Sequence, residues 1–196
     1  MKKSTIIILV VLALLVIWGV TGYNGLVTMD ENVSGQWSNV ETQYQRRADL
    51  IPNLVSTVKG YASHEKETLE GVVEARSQAT QIKVDANDLT PEKLAEYQKA
   101  QGAVTSALGK LLAITENYPD LKADGQFLQL QHALEEVEMQ LQAIRRTYNA
   151  AVVDYNNAIE MFPSSWVAAC RKHRCEELID IPEAERAVPD VKQLFK

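Results

Sequence analysis

The 196-residue sequence has few of the residues that announce chemistry: three histidines, two cysteines, nine glycines and six prolines. His64, His132 and His173 are far apart, and none stands in a helix-borne metal motif of the H-E-x-x-H kind. His64-Glu65 is followed by Lys66, which breaks that pattern. No glycine-rich phosphate loop and no nucleophile elbow occurs. Without an acid, base or nucleophile constellation, the expectation is a non-enzyme with no catalytic, cofactor-binding or metal-ligating residues. Strand-like alternation is missing too, as are Gly/Ser-rich linkers, low-complexity tracts and internal repeats. Basic residues are the scarcer charge, 20 Lys and Arg against 26 Asp and Glu, for a net charge of −6. That balance argues against nucleic acid as a partner and against a broad electrostatic grip on anionic lipid.

One feature is abundant. Thr5 to Tyr23 is almost wholly apolar, with Lys2 and Lys3 just before it. The length matches the roughly 20 residues a helix needs to cross a bilayer core. A cleavable signal would have a shorter apolar region, about 7–15 residues, ending in small residues of the A-x-A kind. Here the run continues through Trp18 and leaves by Gly22-Tyr23-Asn24-Gly25, so an uncleaved anchor is expected. Lys2 and Lys3 precede the run, whereas Asp30, Glu31 and Glu41 follow it with no basic residue until Arg46. The positive-inside rule then puts the amino terminus in the cytoplasm and the body outside.

Everything after Tyr23 reads as helix. Leu26, Val33, Trp37, Val40, Tyr44, Ile51, Leu54 and Val58 fall on alternating steps of three and four when Asp30 and Arg47 are counted in the series. That is the seam period of coiled coils. The seam begins so soon after the apolar run that span and body should share one helix of roughly 80 Å. Pro52 should bend it, Gly60 should end it, and Ser63 should cap the next. A second helix, about His64 to Lys83, has a thinner stripe of Leu69, Val72, Val73, Ala79 and Ile82. Asp85-Ala86-Asn87-Asp88 reads as a loop, and Thr90-Pro91 opens a third helix with seam residues from Leu94 to Tyr118. The fourth has the cleanest pattern, Phe127, Leu130, Leu134, Val137, Leu141, Ile144, Tyr148, Ala151, Tyr155, Ala158 and Phe162, closed by Pro163. The expected architecture is all-α: an amino-terminal transmembrane helix continuing into an elongated antiparallel four-helix bundle with coiled-coil-like packing. Its parts are an anchor over 1–23, a bundle over 24–162 and a tail over 163–196. In the tail a short helix is expected around Trp166–Glu177, then extended chain to Lys196, with the Trp166 ring buried against the bundle or a neighbour.

A few residues stand out. Arg47 falls on the apolar seam, where a charge must be paired or emerge at an edge. Glu135 and Glu138 on the fourth helix are the expected partners, and Arg46 and Asp49 are its charged neighbours. Cys170 and Cys175 leave a disulfide that requires a turn between them or a pair of free thiols, since with His173 they offer a metal only three soft ligands at odd spacing. Gly19, Gly22 and Gly25 recur every three residues and give a smooth strip on which spans could pack. Homo-oligomerisation through the span and the adjoining helix, which carries Trp37, is the expectation that follows.

Trp37-Ser38-Asn39-Val40-Glu41, Gln43 to Val55 (QYQRRADLIPNLV), Val58-Lys59-Gly60-Tyr61, His64-Glu65, Glu74-Ala75-Arg76, Tyr148-Asn149-Ala150-Ala151 and Phe162-Pro163-Ser164 resemble the LemA family of bacterial membrane proteins. The resemblance runs from Tyr23 to Ser164. It implies a single amino-terminal span, a helical bundle and no established enzyme activity. One relative is associated with forming magnetosome membranes, which suggests bilayer shaping. Some relatives are encoded beside membrane metallopeptidases or TPM-domain proteins, which suggests partners. The family has also been described with its amino terminus outside, opposite to the flank argument. After Ser164 the chain departs from the family's usual Asn, Gly and Phe-bearing stretch and carries instead Ser165-Trp166 and the segment with Cys170 and Cys175.

Two function classes follow. One is a non-enzymatic scaffold of the bacterial inner membrane that self-assembles and organises or shapes the bilayer or its neighbours. The other is an accessory or adaptor subunit presenting clients to a membrane peptidase or sensor.

Overall fold

Span and body do share one helix. In the computed structural model, which describes residues 3–84, 86, 89–171 and 175–180 apart from the side chains of Cys170 and Arg171, α1 runs unbroken from Lys3 to Tyr61. Its 59 residues make it about 90 Å long. The first part is long and apolar enough to cross a membrane, and its large apolar side chains from Ile6 to Val20 are unpacked. The body follows as α2 (Lys66–Gln81), α3 (Pro91–Thr115), α4 (Pro119–Lys122), α5 (Gly125–Glu160) and α6 (Ser164–Arg171). Among the described residues there is no strand.

The helix starts follow from local chemistry. Thr90 Oγ1 accepts from the Lys93 amide at the start of α3, and Pro91 supplies a first residue that needs no partner for a missing N–H. Asp124 accepts from the Phe127 amide at 2.8 Å and caps α5. At α2 the expected Ser63 cap gives way: the residue before the helix is Glu65, and its side chain makes no capping bond. Its carboxylate is instead occupied by the Tyr118 hydroxyl, 3.1 Å away at the end of α3.

α5 runs antiparallel along α1, and α2 and α3 pair with each other while α2 leans on α1. Three facing pairs set the α1–α5 register: Tyr61 with Asp124, Arg47 with Glu138, Trp37 with Tyr148. Steps between these pairs are equal on both helices, so the register holds along the body. Extended downward, it sets the end of α5, Glu160, level with Gly25, just beyond the apolar run.

The interior has two apolar compartments. The one nearer the span contains Leu26, Val33, Trp37, Tyr44, Tyr97, Leu141, Tyr148 and Tyr155; the far one contains Ile51, Leu54, Val58, Leu69, Leu108, Leu111 and Leu134. The seam of α1 is buried as expected from its period. On α5, Leu134, Val137 and Leu141 are buried, but Ile144 is only partly so. Arg145, Val152 and Ile159 are buried beside Tyr148 and Tyr155, because α5 packs on α6 as well as on α1 and needs a face wider than a seam. Phe162 lies beyond the end of that helix and is 73% exposed. On α2, Ala75 is buried and Val73 is exposed.

The tail corrects two expectations. α6 ends at Arg171, and residues 175–180 form an extended strap rather than more helix, so Glu177 is not helical. Trp166 is 69% exposed, so its ring is not buried against the bundle; it meets Phe162 edge to face at 5.3 Å, because α6 turns Val167 and Ala168 inward and leaves the preceding residue outside. The expected loop residues Asp85, Asn87 and Asp88 and the chain from 181 to Lys196 lie outside the described residues.

Candidate functional site

Arg47 meets its partners at mid-height, where the two apolar compartments abut. Arg47 is 1% exposed, and both terminal nitrogens of its guanidinium are engaged. One terminal nitrogen donates to Thr105 Oγ1 at 2.9 Å and Glu138 Oε1 at 3.0 Å. The other donates to Gln101 at both its carbonyl (3.1 Å) and its side-chain oxygen (2.6 Å). Arg47 thus ties α1 to α3 and α5 at once, which a planar fork of donors can do and a lysine ammonium cannot. Of the two glutamates expected as partners, Glu138 meets it; Glu135 lies elsewhere and accepts from Gln131.

Aromatic rings continue the layer towards the span. The Arg47 guanidinium sits 5.0 Å from the Tyr44 ring centre; Tyr44 packs edge-on against Tyr97, and Tyr97 against Trp37, both at 5.5 Å. Trp37 meets Tyr148 at 5.6 Å and donates its indole N–H to the Val84 carbonyl at 3.1 Å. Burial pushes the Tyr97 and Tyr148 phenols well above their ordinary range, so both act as neutral groups.

Pro52 has a different part to play from a simple bend. A proline has no N–H to give to the carbonyl four residues back, here Ala48. Arg76 of α2 fills the vacancy: its Nε donates to the Ala48 oxygen at 2.6 Å. α1 therefore runs on through Pro52, and the orphaned carbonyl becomes the point where α2 docks. Sequence reasoning assigned Arg76 no role. The signal was there in principle, since a mid-helix proline always leaves one acceptor open, but nothing local says which helix supplies the donor.

Arg46 and Asp49 stay at the surface. Arg46 reaches Gln140 at 3.2 Å and Glu136 at 3.9 Å, and Asp49 accepts from Gln45. Beside the layer, an open groove of about 1230 Å³ runs along α1 towards α2, with Glu41, Arg46, Asp49, Arg76 and Lys83 on its walls. Among the described residues no group of three or more His, Cys, Asp or Glu could hold a metal ion.

Nearer the membrane, two asparagines of α5 clamp the strap. Asn149 bonds both the amide (2.9 Å) and the carbonyl (2.8 Å) of Ile179, and Asn156 does the same with Glu176 at 2.8 and 2.9 Å. Tyr148 adds a bond to the Glu177 carbonyl. Cys175 is a free, exposed thiol facing Glu160 at 3.4 Å. The Cys170 side chain lies outside the described residues, and so does any pairing with it. Of the small-residue strip, Gly19 and Gly25 have open space around them, whereas Gly22 faces Val167 of α6, so one of the three glycines is used within the chain.

Relatives share this region. The magnetosome protein MamQ 2 of Paramagnetospirillum magneticum is 28% identical over 167 residues, covering 74% of this chain and 60% of that protein. MamQ of Magnetospirillum gryphiswaldense is 27% identical over the same length. This chain thus spans about three-fifths of the length of the magnetosome relatives. Protein LemA of Metamycoplasma hominis is 28% identical over 171 residues, covering 87% of this chain and 74% of that protein. Neither the family nor these relatives is known for an enzyme activity. A family model, the LemA family, matches residues 36–193, which takes in the arginine brace, the proline, the asparagine clamp and the strap; the chain belongs to the LemA family.

Proposed function

We propose that the protein is a non-enzymatic, membrane-anchored scaffold whose subunits associate laterally and organise or shape the bilayer or its neighbours. The observation that carries this reading is the continuity of α1. No joint separates span from body, and Arg47 and Arg76 lock the helix to α2, α3 and α5. A tilt of the span is therefore a tilt of the whole bundle, which suits a part that imposes orientation on its surroundings. The relatives named as magnetosome proteins support a role of this kind. The lysines before the span support a body outside the cytoplasm.

Light scattering after size exclusion, on the full chain in mild detergent, tests this. The expected result is a defined multimer that Gly19→Leu weakens while helix content is unchanged. Gly19 is the better probe than Gly22, because substituting Gly22 would also push on Val167. Monomers for both proteins would overturn the scaffold. The groove along α1 favours the second reading, an adaptor that seats a client chain for a membrane metallopeptidase or TPM-domain partner.

A further inference from the structure

We propose that the corner between α5 and α6, with Met161, Phe162 and Trp166, is a second membrane-contacting element that lies in the bilayer interface beside the exit of the span. The proposal rests on the reading of the amino-terminal part of α1 as a membrane anchor.

Height is the first argument. The α1–α5 register sets Phe162 level with Tyr23, where the apolar run ends. A direct contact says the same: Val167 lies 3.7 Å from where a side chain on Gly22 would begin. α6 is thus held against the last turn of the span, and no part of the described body lies between it and the membrane surface.

Chemistry is the second. Met161 is 61%, Phe162 73% and Trp166 69% exposed, three large apolar side chains within six residues. Phe162 and Trp166 stack edge to face, so they form one patch rather than isolated side chains. The opposite side of α6 turns Val167 and Ala168 into the core, which fixes the outward direction of Trp166. Aromatic side chains favour the headgroup level of a bilayer, where the ring is in an apolar layer and the indole N–H stays hydrated. Trp18 and Tyr23 on α1 flank the same level. In sequence, α6 runs into Arg171-Lys172-His173-Arg174, the most basic stretch of an otherwise acidic body and a composition suited to anionic headgroups. A second copy of the chain is the competing occupant, but the patch sits at the one height where lipid already surrounds the molecule.

Tryptophan quenching in vesicles of zwitterionic and anionic phospholipid tests this with the full chain. Trp18 is replaced by Phe to silence the span, and Trp37, buried in the core, gives a constant background. Subtracting the emission of a further Trp166→Phe variant isolates Trp166. Interfacial helices bury their apolar face by about 5–10 Å. Trp166 should therefore lose more than half its emission to lipids brominated near the carbonyl end of the chain, less to those brominated near the methyl end, and none to aqueous iodide. Quenching by iodide but not by bromolipid would put Trp166 in water and overturn the proposal. Protection from both would mean that protein, such as a second copy, covers it, and would overturn it equally. Flotation of the vesicles after alkaline carbonate reads the anchor separately. A chain that floats with water-exposed Trp166 loses only the interfacial contact; a chain that does not float loses the anchor and the contact together.

Discussion

Two arginines show how single residues set this molecule's architecture. Arg47 is buried where hydrophobic packing would otherwise continue, and its worth lies in the acceptors on α3 and α5 that its terminal nitrogens meet. Removing it leaves Glu138 and Gln101 facing a cavity, so Arg47→Ala should destabilise the body by about 3 kcal/mol. Arg47→Lys should recover little of that, since one ammonium cannot reach three helices' acceptors. Urea denaturation followed by circular dichroism measures both. Arg76 answers a vacancy that Pro52 creates, and that dependence gives a sharper test. Arg76→Ala leaves the Ala48 carbonyl without its donor and should cost about 1–3 kcal/mol. In a Pro52→Ala background the helix recovers its own N–H, and the same substitution should cost less by about 1 kcal/mol. Equal costs in both backgrounds would show that Arg76 acts by some route other than the carbonyl.

At the scale of elements, the strap 175–180 is the least self-sufficient piece. It has no helix of its own and is held by Asn149, Asn156 and Tyr148. Glu176 lies among acidic groups: its pKa is raised first by burial and then by Asp30 and Glu177, with Glu160 and Cys175 close by. The carboxyl is thus better accommodated neutral. A raised folded-state pKa means the contribution to docking is full below the ordinary value of 4.5 and fades as pH rises through the raised value. Exchange protection of the Ile179 and Glu176 amides, corrected for intrinsic rates, should be full below the ordinary carboxylate value of 4.5 and fall as pH rises above it. Glu176→Gln should keep it high throughout; a fall of the same size in that variant would place the titration elsewhere. The seam of α1 and the placement of Arg47 upon it were legible from the sequence because a 3.5-residue period needs no knowledge of the partner. The strap, the Arg76 bond and the wider face of α5 were not, because each depends on which segment returns to cover a helix. Asn149 and Asn156 look like surface residues until the strap lies over them. Trp166 misled for the same reason: its burial depends on an environment that the chain alone does not contain.

For the whole molecule, the decisive property is which side of the membrane the body occupies. The sequence from Arg171 to Arg174 is a basic stretch that competes with Lys2 and Lys3 in that question. Insertion, however, is governed by charge within about 15–20 residues of the span's ends. When the span is read, the residues available are Lys2 and Lys3 on one side and Asp30 and Glu31 on the other; the basic stretch lies more than a hundred residues further along the chain. The lysines therefore decide, and the body is expected outside the cytoplasm. Ser63 gives the place to measure it. It is exposed in the turn between α1 and α2, at the far end of the body, about 60 Å from the span. In a Cys170→Ser, Cys175→Ser background, Ser63→Cys should react with a membrane-impermeant maleimide as fully in intact cells as in lysed ones. Reaction only after lysis would place the body in the cytoplasm and overturn the flank argument.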